Sequence, residues 1–139
     1  MDRDDLGFLL AKAMQRWNAL LHERFQAAGW AEVRPSYGSI LVPLFEEDGL
    51  RIGELARRSR LSKQTMTTMV RLLERDGFVL RERDPADARA FRVVLTAKAR
   101  TFEPVAERTL QELAALAQHR LGERRLQSVK RALKEWIET

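Results

Sequence analysis

The stretch RIGELARRSRLSKQTMTTMVRLLERDGFV, Arg51 to Val79, decides the fold. Ile52, Leu55 and Ala56 make one apolar stripe on a short helix. A connection of three or four residues around Ser59-Arg60 leads to Leu61, and Ser62 is a natural N-cap for a second helix. Met66, Met69, Val70 and Leu73 then recur at helical spacing as that helix's buried stripe. Ala56 falls where the two helices approach closely, a place for a small side chain. This is the grammar of a helix-turn-helix, whose second helix enters the DNA major groove. One position departs from it: Arg60 stands where many such motifs place a left-handed glycine.

If the stripe faces inward, an advance of about 100° per residue sets what faces out. Gln64, Thr68, Arg71 and Arg75 lie opposite, with Thr65 and Thr67 on the flanks and no acid until Glu74. Arg71 suits a guanine edge, Gln64 an adenine, and the threonines a thymine methyl or a phosphate. Ser62 and Lys63 sit at the helix start, where free N–H groups favour a phosphate. A merely solvated helix face is the plainer reading. Against it, three threonines on one short helix lower its propensity without structural return.

Directly downstream, Phe78-Val79-Leu80 and Phe91-Arg92-Val93-Val94-Leu95 read as two strands, with Asp84 to Ala90 as the loop between them. Arg81, Arg83, Arg89 and Arg92 crowd this hairpin. A helix-turn-helix followed by a basic hairpin is a winged helix, so the hairpin is expected to reach for DNA. Arg89 is placed at its tip, for a narrow minor groove, and Arg83 is counted with it. Asp87, repelled by phosphate, is expected to hold Arg89 or the loop.

Charge follows the same division. Residues 51–100 carry 13 Lys or Arg against 6 Asp or Glu, while the other 89 residues carry 12 against 14. All of the net +5 therefore comes from the middle of the chain, as suits a nucleic-acid surface. The flanks read as long helices. Asp4 to about Ala28 repeats Leu6, Leu10, Ala13 or Met14, Trp17, Leu20 or Leu21, and Phe25. Pro35-Ser36 opens a short helix with Ile40, Leu41, Leu44 and Phe45. Thr96 caps a long helix in which Pro104 predicts a kink or a later start, and Gly122 separates a last helix with Leu126, Val129, Leu133, Trp136 and Ile137. Helices this apolar are hard to cover within 139 residues, so a symmetric homodimer through the terminal helices is expected.

The expected fold is mainly α with a small β-hairpin wing (α+β). Residues 35–96 would form the winged helix-turn-helix, and residues 1–34 and 97–139 the dimerisation helices, of a single 1–139 chain. The stretch ELARRSRLSKQTMTTMVRLLERDGFVLRERDPADARAFRVVLT resembles the MarR family of bacterial transcription regulators. Asp87-x-Arg89, the strand ending Leu95-Thr96, and Gly77-Phe78-Val79 carry the resemblance, which is residue-level from about Arg51 to Arg100. Ala99 stands where the family usually has glycine. The resemblance implies a triangular homodimer, two winged lobes on a palindromic operator in double-stranded DNA, and repression relieved by a small, often aromatic, effector.

Such an effector would enter between the dimerisation and DNA-binding regions. Trp17, His22, Trp30, Arg34 and Tyr37 border that position as candidate ligand contacts. Each also has a plainer reading, Trp17 and Tyr37 as core and His22 as surface. Zero cysteines exclude disulfides, thiolate metal sites and thiol redox sensing, and His22 and His119 are far apart, so no metal or cofactor is expected. Neither a phosphate loop nor a clustered nucleophile and base argues for an enzyme. No apolar run reaches the ~18 residues of a membrane span. The acidic MDRDDLGFLL start is unlike a secretory signal, so a cytoplasmic protein is expected. Two rival functions are a winged helix used for protein contacts and a non-specific architectural DNA binder.

Overall fold

A computed structural model describes residues 2–139. Its elements run α1 (Leu6–Ala27), a 3-10 turn (Pro35–Tyr37), α2 (Gly38–Glu46), β1 (Leu50–Arg51), α3 (Ile52–Ser59) and α4 (Lys63–Arg75). They continue with β2 (Val79–Asp84), β3 (Asp87–Leu95), α5 (Ala97–Leu121) and α6 (Glu123–Ile137). The mainly helical chain with a small antiparallel sheet has the expected α+β winged-helix fold.

Local chemistry sets the helix ends. Asp5, Ser62 and Thr96 cap α1, α4 and α5 by accepting from Phe8 N, Thr65 N and Ala99 N. Each such cap stabilises its helix by ~1 kcal/mol. Three helices end in the same double bond pattern. At α4, Gly77 N donates to Glu74 O and Phe78 N to Leu73 O; α1 repeats it at Gly29 and Trp30, and α3 at Arg60 and Leu61. The pattern needs a left-handed residue, and Gly29 and Gly77 supply it at φ +89° and +84°. Arg60 adopts it too, at φ 53° and ψ 40°, so the turn keeps its geometry without the glycine. Its guanidinium also donates to the Ile137 carbonyl at 2.7 Å, tying the turn to the end of α6.

Two prolines lie inside helices. Pro43 in α2 cannot donate to Ser39 O, and that carbonyl accepts instead from Ser59 Oγ at 2.6 Å, joining α2 to the end of α3. Pro104 sits within α5, which nonetheless begins at the Thr96 cap and continues to Leu121. The later start is therefore not seen. Thr96 anchors the helix from both sides: its Oγ1 accepts from Ala99 N and donates to Gly77 O at 2.6 Å. Ala99, where a glycine was expected by resemblance, is fully buried in this corner.

The sheet order is β1-β3-β2, all antiparallel. The wing differs from expectation. Its strands extend to Asp84 and from Asp87, so the tip is Pro85-Ala86 rather than Asp84–Ala90. Asp84 Oδ1 accepts from Ala86 N at 2.8 Å and Asp87 Oδ1 from Arg89 N at 3.0 Å, which tightens the turn. The two-residue β1, pairing Leu50 with Val93, was not foreseen.

One core joins the elements. Phe78 lies at the centre of an aromatic group, 6.1 Å from Trp30, 6.1 Å from Tyr37 and 6.0 Å from Phe102, with Phe25 5.0 Å beyond Phe102. Met66, Val70 and Leu73 of α4 are buried as expected, and Met69 is half-buried against them. The chain's ends are different. No residue of α6 is buried, and Leu6, Leu9, Met14, Val129, Leu133, Trp136 and Ile137 are exposed.

Candidate nucleic-acid interface

The outward face of α4 is assembled by its inward one. With Met66, Val70 and Leu73 packed below, Lys63, Gln64, Thr65, Thr68, Arg71 and Arg75 stand exposed above. Ser62 Oγ accepts from Thr65 N and donates to Thr65 Oγ1 at 2.8 Å, so these two side chains serve the cap first. Thr67 is half-buried and donates to Lys63 O at 2.8 Å, which places it beside the face rather than on it. Thr68 donates to Gln64 O at 3.2 Å and keeps its methyl in solvent. Among the described residues Arg71 and Lys63 have no ion-pair partner, and both are free to meet a phosphate or a base edge.

The acids around this face are neutralised. Glu74 pairs with Arg81 at 3.2 Å. Glu54 is bound by Arg57 and by Arg58, and these hydrogen bonds, Arg57's first, hold its carboxyl down to about 2. Asp84 is paired with Arg51 at 2.6 Å, and the Ala86 N–H and Arg51 both keep its carboxyl below the usual carboxylate range.

On the wing, the sequence candidates separate. Arg89 projects freely, its side chain 94% exposed, with Asp87 beneath it at 3.6 Å. Arg89 stands within β3 rather than at the turn, because the strand begins at Asp87. Arg83 is exposed too, but it donates to Ala88 O at 3.0 Å and lies 5.8 Å over the Phe91 ring, contacts that brace the wing. Between wing and helices runs a groove of about 530 Å³ lined by Arg51, Lys63, Arg89 and Phe91 among others. Arg51 and Phe91 were not sequence candidates. Both belong to strands, one of them two residues long, whose pairing gives no periodic signal.

The proposed ligand contacts are not gathered. An apolar cleft of about 80 Å³ between α1, α2 and α5 is lined by Leu21, Phe25, Val33, Leu41, Phe102 and others, and of the five candidates only Arg34 reaches it. Trp17 and Trp30 pack against the core, His22 is exposed, and Tyr37 is buried with its hydroxyl on Asp76. Among the described residues no cluster of three or more metal-ligating side chains occurs, and no helix is long and apolar enough to cross a membrane.

The helix-turn-helix of α3 and α4, with its cation-bearing face, is followed directly by the wing of β2 and β3. The MarR family model matches residues 35–91. The match is confined to this part of the chain. Outside the family model, the chain is 41% identical over 66 residues to the HTH-type transcriptional regulator TtmR of Methylorubrum extorquens. That match takes in 48% of this chain and 33% of TtmR, so it spans only about a third of that relative's length. The MarR-type fold extends over the whole chain. A probable transcriptional regulator from Pseudomonas aeruginosa superposes with a TM-score of 0.84 at 25% identity, covering 96% of this chain and 97% of that one. FabT of Streptococcus pneumoniae, solved in complex with DNA, gives 0.79 at 14% identity over 99% and 96% of the two chains, a likeness of fold.

Proposed function

We propose that this MarR-type chain is a transcription regulator that reads double-stranded DNA as a homodimer, represses from a palindromic operator and is released by a small effector. The observation that carries the DNA reading is the acid-free outward face of α4, where Lys63 and Arg71 are unpaired among the described residues, flanked by the free Arg89 of the wing. A helix in the major groove and an arginine in the neighbouring minor groove recognise a duplex from two sides. Corresponding support comes from the pneumococcal neighbour, whose own structure holds DNA. The dimer rests on the uncovered apolar residues of α1 and α6, which line a shared groove at Leu6, Leu10, Leu133 and Trp136. The effector rests on the cleft beside Arg34. At about 80 Å³ it is far below the ~300 Å³ of a drug-sized site, so an aromatic ligand must part α1 from α2 to enter.

Duplex titrations at several salt concentrations test the assignment. Arg71→Ala should cost about 1–3 kcal/mol on a preferred duplex and relax discrimination at one base position. Lys63→Ala should weaken every duplex alike and flatten the salt dependence by about one phosphate contact. Equal effects of the two on preferred and scrambled duplexes would favour the architectural reading, and no duplex binding the protein-contact one. Arg89→Ala should weaken duplex binding while leaving the melting temperature unchanged, since that side chain is 94% exposed and its one ion pair among the described residues is with Asp87. A matching drop in melting temperature would make Arg89 a structural residue.

A further inference from the structure

Tyr37 is the chain's only tyrosine and is 1% exposed. Its ring packs against Phe78, a role that phenylalanine would fill equally well. The hydroxyl adds something else: it donates to Asp76 Oδ2 at 2.5 Å. Asp76 is the C-cap of α4, and its other oxygen, Oδ1, accepts from Arg75 Nε at 3.1 Å. The Asp76 backbone carbonyl accepts from Lys98 Nζ of α5 at 2.7 Å. Three parts of the fold thus meet at one residue: the turn before α2, the end of α4 and the start of α5. Burial pushes the Tyr37 hydroxyl pKa up, and Asp76 adds to that, while Arg75 and then Tyr37 hold the Asp76 carboxyl below the usual carboxylate range. Around pH 7 the pair is therefore a neutral donor on a charged acceptor, the stronger kind of hydrogen bond.

Glu74 also ties α4 to β2, through two partly solvated bonds from Arg81 at 3.2 Å, and the rest of α4 is held less directionally. Met66, Val70 and Leu73 are apolar, and such packing tolerates small rotations and slides of a helix. The N-terminal cap from Ser62 is internal to the helix and its own flank, so it does not orient α4 against the core. Base readout needs its side chains placed to within about 0.5 Å. The tie at Asp76 is the one charged, buried-hydroxyl bond from α4 to another element among the described residues.

We propose that Tyr37 and Asp76 are positioning residues for DNA reading, fixing the rotation and axial seat of the recognition helix from its far end. This rests on the duplex-reading function proposed above. The tie acts on discrimination rather than on attraction, because the phosphate-facing charges stay whether or not α4 is well seated.

The test measures binding of the full chain, with Tyr37→Phe, Asp76→Asn and both together, to a preferred duplex and to a scrambled duplex of equal length. Tyr37→Phe should lose about fivefold on the preferred duplex, the worth of one ordinary hydrogen bond, with the scrambled duplex and the salt slope unchanged. The double variant should be no weaker than Asp76→Asn alone, as for two residues acting as a unit. With a single tyrosine, its Raman hydrogen-bond signature should change in Asp76→Asn and so report the bond directly. The proposal is overturned if discrimination stays within about twofold of the parent protein, or if both affinities fall together with the melting temperature. Failure of the unsubstituted protein to discriminate at all would instead remove the duplex-reading function, and this proposal with it.

Discussion

Leu133→Asp should yield a monomer in sedimentation and, on the proposed dimeric reading, lower affinity for a two-half-site duplex by about a hundredfold or more, the loss expected when linked binding becomes single. The reason lies in what α6 lacks. None of its residues is buried within the chain, yet Val129, Leu133, Trp136 and Ile137 are apolar, with Trp136 58% exposed and Leu133 39%. Leu6 and Leu10 of α1 line the same groove, so the apolar surface is continuous across both termini. An aspartate on that surface stays hydrated in a single chain and costs little. Sealed between two chains it would be an unpaired buried charge, costing several kcal/mol per protomer. The variant should therefore melt as a folded monomer. A dimer that persists would place the interface elsewhere.

Phe78→Ala should reduce unfolding free energy by about 3–5 kcal/mol in a denaturant titration. That is a large part of the ~5–15 kcal/mol a domain of this kind possesses. Phe78 is fully buried, and it touches the aromatic rings of three other segments, Trp30 after α1, Tyr37 before α2 and Phe102 in α5. Lys98 Nζ closes the group 4.7 Å above the ring. Removing the ring leaves a cavity that no neighbouring backbone can collapse to fill, because the position also anchors β2 and accepts from Thr96 N. A loss below about 1 kcal/mol would mean that these elements are held together by something other than the aromatic group.

The sequence made some of this legible and hid the rest, for physical reasons. Helical periodicity is local, so α3, α4 and their buried stripe were readable, as were the Ser62 and Thr96 caps. The outward face of α4 followed from the same geometry. The wing's existence was readable, its length was not. Arg81, Glu82, Arg83 and Asp84 form a charged run with no apolar alternation, yet they pair with β3 through Arg83↔Phe91 and, after a register shift, Asp84↔Asp87. The contacts of Arg83 with the Ala88 carbonyl and the Phe91 ring lie across that pairing and give no signal in the sequence.

Long-range partners were the least visible. The Tyr37 hydroxyl finds its partner in Asp76, 39 residues away, a pairing that no local spacing announces. The exchange by which Pro43 frees Ser39 O for Ser59 Oγ depends on two helices meeting, which no spacing within either encodes. The later start that Pro104 allowed for α5 is not seen, because the Thr96 cap starts the helix ahead of the proline. Arg60, whose type argues against a left-handed turn, adopts one because both flanking helices are fixed and its guanidinium finds Ile137 O.

The most direct test of a two-headed, sequence-reading dimer is selection of bound sequences from a random duplex pool at near-physiological salt. Recovery of a palindrome with half-sites about one helical turn apart is the expected result. Recovery of bound duplexes sharing no motif, or of no bound duplex, would contradict it.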